Sequence, residues 1–136
     1  MNREIRFRGK RIDNGKWIYG YLNTTIRKDF ACISDCWKTQ CVIPDTVGQY
    51  IGIRDKNGNR IYEGDIVCFY FDSSGKEKTE CVVKYNCQKA RFEYEYSNRN
   101  RSLLPYEAYE VEIKGNIHDN SELLKGDWES QINLNK

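Results

Sequence analysis

Six cysteines, a single histidine and a run of basic residues interleaved with aromatics are the parts of this chain whose types could do chemistry. The cysteines stand at Cys32, Cys36, Cys41, Cys68, Cys81 and Cys87. No two of them are spaced C-x-x-C, and His118 has no second histidine after it, so none of the usual zinc-ligand spacings is met. Cys32-x3-Cys36-x4-Cys41 is the one cluster. The expectation is no structural metal and no cofactor, with free cysteines acting as small buried apolar groups. His118 and Asp119 are sequence neighbours, which does not orient them as a catalytic pair. No cysteine sits in a recognisable nucleophile elbow. Gly48-x3-Gly52 lacks the Gly-Lys-Ser/Thr that a phosphate loop needs. Counted from Asp55 as a calcium loop, position 6 is Arg60 and position 12 is Ile66, where Gly and Glu are required. Asp55–Asn59 therefore reads as a tight turn, and the chain as a non-enzyme.

Binding has more support. Arg6, Arg8, Lys10 and Arg11 precede Trp17, Tyr19 and Tyr21, and the chain carries 5 Phe, 3 Trp and 10 Tyr in 136 residues. Tyr and Trp bury an apolar ring while offering a polar end, which suits protein interfaces. The same aromatics beside a basic track would suit stacked single-stranded nucleic acid. A third account keeps them as the core of a protein lean in aliphatic residues. Net charge is +2, too small to demand a polyanionic partner. It is unevenly spread, with a net of +6 over 1–102 and −4 over 103–136. The basic face could meet that acidic portion or simply be solvated.

The elements that must position these residues are strands. Isoleucine, valine, threonine and the aromatics dominate while Ala occurs only 3 times, which favours pleated sheets over long helices. Ile5 and Phe7 alternate with Arg6 and Arg8, and Asp13-Asn14-Gly15 signals the turn of a hairpin over 3–22. Trp17, Tyr19 and Tyr21 then line one face, with Ile18 and Leu22 on the other. Two short apolar runs, 30–33 and 41–43, flank a polar break at Ser34-Asp35, and Pro44 ends the second. Further strands are expected from Gly48 to Ile53, from Ile66 to Phe71, from Cys81 to Tyr85, through Phe92, Tyr94 and Tyr96, and through Tyr109, Val111 and Ile113. A turn centred between Ser74 and Gly75 would set Cys68 opposite Cys81, Val67 opposite Val82 and Ile66 opposite Val83, both cysteines remaining thiols. Asp119-Asn120-Ser121-Glu122 predicts a helix start, with a short helix and tail over 120–136. Nothing apolar follows the charges of Met1–Arg6, so no secretory signal is expected, and no run approaches the ~18 apolar residues of a membrane span.

Three blocks carry a resemblance. Arg6-Phe7-Arg8-Gly9-Lys10-Arg11 with Gly15-x-Trp17-Ile18-Tyr19-Gly20-Tyr21 resembles the opening of the YopX family, small proteins of phages and prophages. Thr46–Gly52, Asp55-Lys56-Asn57-Gly58 and Ile61-Tyr62-Glu63-Gly64-Asp65-Ile66-Val67 are similar to its most distinctive stretch, which is long and specific. Gly115–Leu124 resembles its ending, where Pro often replaces Ser121. The segment holding Cys32, Cys36 and Cys41 matches no family motif. The resemblance implies an SH3-like small β-barrel, a phage or prophage origin and residence in the host cytoplasm. It brings no established activity, cofactor or catalytic residue.

The expectation is thus an all-β fold, an SH3-like barrel or roll centred on 48–118, with the N-terminal hairpin packed on it and a short C-terminal helix, all in one domain over 1–136. The expected function is a non-enzymatic module binding host or phage proteins. The alternative is nucleic-acid binding through Arg6, Arg8, Lys10, Arg11, Trp17, Tyr19 and Tyr21. A homo-oligomer of two or three copies is expected, and no membrane association.

Overall fold

The structure, a computed structural model, describes residues 2–23, 29–70, 78–96 and 102–123. The chain divides into two compact units, Met1–Gly52 and Ile53–Lys136. In the first, strands β1 (Phe7–Lys10), β2 (Trp17–Leu22), β3 (Cys32–Ser34), β4 (Thr39–Cys41) and the start of β5 (Gly48–Arg54) lie in the antiparallel order β4-β3-β2-β1-β5. The expected hairpin is present, pairing Phe7 with Gly20 and Lys10 with Trp17. Its turn is built as the sequence suggests, with Asn14 Oδ1 accepting the Lys16 N–H and Gly15 at φ 69°. Phe7, Ile18, Leu22 and Val47 pack on a small core of Ala31, Ile33 and Val42. Gly20 allows β3 to approach: a Cβ there would collide with the Ser34 carbonyl oxygen. Pro44 ends β4's continuation by opening a 3-10 turn, Pro44–Thr46.

In the second unit the end of β5 turns back through Asp55–Asn59 into β6 (Arg60–Tyr62). Asp55 is buried and staples that turn: Oδ1 accepts the N–H groups of Asn57 and Asn59, and Oδ2 accepts that of Ile113. Strands β7 (Asp65–Tyr70), β8 (Lys78–Asn86), β9 (Arg91–Tyr96), β10 (Ser102–Leu103) and β11 (Tyr109–Asn116) follow, in the order β10-β9-β8-β7-β11. Gly64, at φ 89°, makes the sharp entry to β7, and Asp65 Oδ2 accepts the Tyr62 N–H across it. Ile66, Val67, Phe69, Cys81, Val82, Val83 and Tyr94 form a fully buried interior.

Four expectations change. The second sheet is an open order ending in β10 and β11, so the described strands do not show a closed barrel. The C-terminal helix is, as far as Leu123, one 3-10 turn from Ser121 to Leu123, and the rest of 120–136 lies outside the described residues. In the β7–β8 pair, Val67 faces Cys81 and Cys68 faces Glu80, one residue off the expected register. Tyr70 pairs with Lys78, leaving seven residues between them, and an odd-length connection reverses the parity that a two-residue turn would set. Finally, β11 is not a regular alternation: its pairing with β7 shifts twice, and Glu110 sits at φ 54°. Bulges of this kind bend a strand and increase its twist.

Candidate functional site

Side chains alternate across a strand, so the β1–β2 register settles which residues share a face. Arg8 lies opposite Tyr19 and Lys10 opposite Trp17, on the face away from Phe7 and Ile18. Tyr21 continues that face opposite Ser34 of β3. Arg6 precedes β1 and extends its ladder, its carbonyl accepting the Tyr50 N–H at 2.8 Å. Six of the seven residues expected from the sequence therefore come together along one hairpin, and they divide by exposure. Tyr19 and Tyr21 point outward, 40% and 63% exposed, whereas Arg8 is only 5% exposed. The Arg8 guanidinium lies over the Trp17 ring, 4.6 Å from its centroid, with Lys10 Nζ at 5.9 Å. Cations placed over an indole face are held by its quadrupole.

Arg11 is the exception. Its guanidinium grips Asp13 in a fork, Nε to Oδ1 at 3.0 Å and Nη2 to Oδ2 at 2.6 Å, and holds that carboxyl below its usual range. It pairs with Val42 as an isolated bridge rather than lining the face of Arg8 and Lys10. The continuous basic track suggested by the sequence is thus interrupted: Arg8 is buried against Trp17 and Arg11 is paired with an acid.

The same face continues across β3 and β4. Ser34 Oγ and Thr39 Oγ1 meet at 2.8 Å, and Asn23 Nδ2 donates to both. Cys32 and Cys41 face each other two pairs along, Sγ to Sγ 3.8 Å. The sequence placed these two in a cluster with Cys36 but did not pair them. A signal existed, because Cys32 and Cys41 are equidistant from the turn Asp35–Lys38. Asp35 Oδ1 accepts the Trp37 and Lys38 N–H groups there, which lowers the Asp35 carboxyl's pKa. Reading Ser34-Asp35 as a break hid the hairpin. Trp37 at its tip is 90% exposed.

Several other titratable groups are taken up by the fold. Burial raises the Cys68 and Cys81 thiols, and the register puts them on opposite sides of their sheet. Near the end of β11, Asn116 Oδ1 accepts the His118 and Asp119 N–H groups, and Asn116 Nδ2 donates to Asp119. Glu112 pairs with Lys56 and Lys114, both at 3.4 Å, so part of the acidic excess is met within the second unit. Among the described residues no group of three or more His, Cys, Asp or Glu is placed to hold a metal ion. No helix among them is long and apolar enough to cross a membrane.

A solved structure, that of protein EF1440 from Enterococcus faecalis, is similar in fold, with a TM-score of 0.51 and 23% identity over 91% of this chain and 100% of that one. No curated protein matches the chain. The family described as YopX protein matches residues 6–125, which takes in the hairpin face, both stapled turns and the Asn116 turn. The chain belongs to the YopX family.

Proposed function

We propose that this phage-associated chain is a non-enzymatic interaction module that binds a protein partner through the outer face of its N-terminal hairpin. The observation that carries the reading is the pair of outward tyrosines, Tyr19 and Tyr21, beside a Trp17 already fixed by Arg8. Rigid aromatic groups with a polar end give contact area at low entropic cost. Nucleic acid is the weaker reading, since a phosphate track needs exposed cations, whereas Arg8 and Lys10 lie over Trp17 and Arg11 grips Asp13. Co-purification of a tagged chain from host cells, with and without nuclease, tests this. A bound protein that survives nuclease and is lost from the Tyr19→Ala/Tyr21→Ala variant supports it. Capture abolished by nuclease, together with a salt-sensitive mobility shift, would favour the nucleic-acid reading instead.

Three finer points belong to the same proposal. The bent, bulged β7–β11 pair and the five-stranded order suit an SH3-like roll. The family match runs through both units, which suits a single domain, and the phage association read from the family suits action in the host cytoplasm. Exposed aromatics and edge strands favour two or three copies. Sedimentation giving the 16.1 kDa of one chain at every dilution would rule that out.

A further inference from the structure

Antiparallel pairs alternate between residues that exchange two backbone hydrogen bonds and residues that exchange none, and the second kind bring their side chains closer. In the β3–β4 hairpin the Val42 N–H donates to the Ala31 carbonyl at 3.0 Å, and the Asp35 N–H donates to Lys38 at 3.0 Å. Counting inward from both ends, Cys32/Cys41 and Ser34/Thr39 are the pairs without such bonds. Ser34 and Thr39 already touch, oxygen to oxygen, at 2.8 Å. Cα atoms in a pair of this kind lie about 4.5 Å apart, at the short end of the range a disulfide spans. The two sulfurs already lie 3.8 Å apart. The two differ in access: Cys41 is exposed and Cys32 is 6% exposed.

We propose that Cys32 and Cys41 form a redox-modification site, a dithiol that a low-molecular-weight disulfide converts to a reversible Cys32–Cys41 bridge. The exposed Cys41, as thiolate, attacks one sulfur of the reagent and releases its first thiolate. Cys32, having given up its proton to solvent, then attacks Cys41 Sγ and expels the second. Two electrons pass from the cysteines to the reagent, which leaves as two thiols, and both protons are accounted for. Burial, then the adjoining Cys41 thiol, hold the Cys32 thiol above its ordinary range, which suits the resolving role over the first attack. Exposed disulfides are among the readily reduced ones, and the exposure of Cys41 leaves the bridge open to reduction again, as a switch requires. The bridge would fix edge strand β4 to β3 on the same sheet face as Tyr21.

The test is incubation of the folded full-length chain with oxidised glutathione, followed by alkylation and mass mapping. The expected product has lost two hydrogens, keeps four alkylatable thiols of the six, and carries a 32–41 cross-link that a mild dithiol reductant opens. Cys41→Ser, a change at an exposed position, should form no such bridge, and Cys32→Ala should stall as a glutathione adduct on Cys41. A wild-type chain that accumulates the Cys41 adduct instead, a cross-link mapped to Cys36, or an unreacted Cys41 while exposed Cys87 is modified would each overturn the proposal.

Discussion

Strands β2 and β7 are both six residues long, yet they read differently. In β2 exposure alternates around Gly20, and Tyr19 and Tyr21 face outward while Ile18 and Leu22 face the small core. In β7 every residue from Asp65 to Phe69 is buried. Alternation records which side faces solvent; a continuous apolar run says only that both sides are covered. The first unit accordingly carries its outward aromatics on a face the sequence could identify. The second carries its stability in an interior whose pairing the sequence could not orient.

The largest test of this contrast is truncation. Phe69, fully buried and 5.5 Å from the Tyr94 ring centroid, should cost about 3–5 kcal/mol as Phe69→Ala. Tyr21→Ala should change stability by no more than about 0.5 kcal/mol, as exposed positions do. Denaturant midpoints at constant slope check both, and a Tyr21→Ala loss as large as that of Phe69→Ala would erase the distinction. Gly20→Ala sharpens it from the other side. The added methyl meets the Ser34 carbonyl, so β2 and β3 must separate, at a cost of about 1–3 kcal/mol. Wild-type stability in that variant would mean that β3 is not held against β2 as described.

The smallest effect is one of pH. Burial pushes the Glu93 carboxyl up, but hydrogen bonds from Arg91, Asn86 and Ser102 outweigh it and leave its pKa below the ordinary 4.5. A carboxyl held below its unfolded value contributes stability above 4.5 that is lost as pH falls through the lowered value. Glu93→Gln should therefore flatten the acid limb of a stability–pH curve while leaving the slope above pH 6 unchanged. An acid limb identical to wild type would show that Arg91 and Glu93, 2.8 Å apart, contribute nothing to it.

How much was legible follows from the same contrast. The hairpin, the Asp55 turn and the Gly64 entry were readable because each depends on neighbours in sequence: Asn and Gly at a turn, a carboxylate two and four residues before the amides it accepts. The block most distinctive of the family proves to hold turns together, with Asp55 and Asp65 both spent on backbone N–H groups. Arg8 was grouped with solvent-facing cations because alternation predicts direction and not cover. A charge reversal there, or at Lys10 over the same ring, would disturb the packing on Trp17, so Arg6 is the position at which charge can be tested without it.

By itself the sequence determined the all-β character, the family and the shared face of Trp17, Tyr19 and Tyr21, since strand propensity and period-two alternation are local properties. Only the tertiary structure decided that Val67 and not Cys68 faces Cys81, and that Arg8 is buried. These depend on what lies opposite across a sheet. One residue more or less in a connecting loop turns every side chain of a strand to the other face, and a strand buried on both faces carries no pattern that reveals which way it turned.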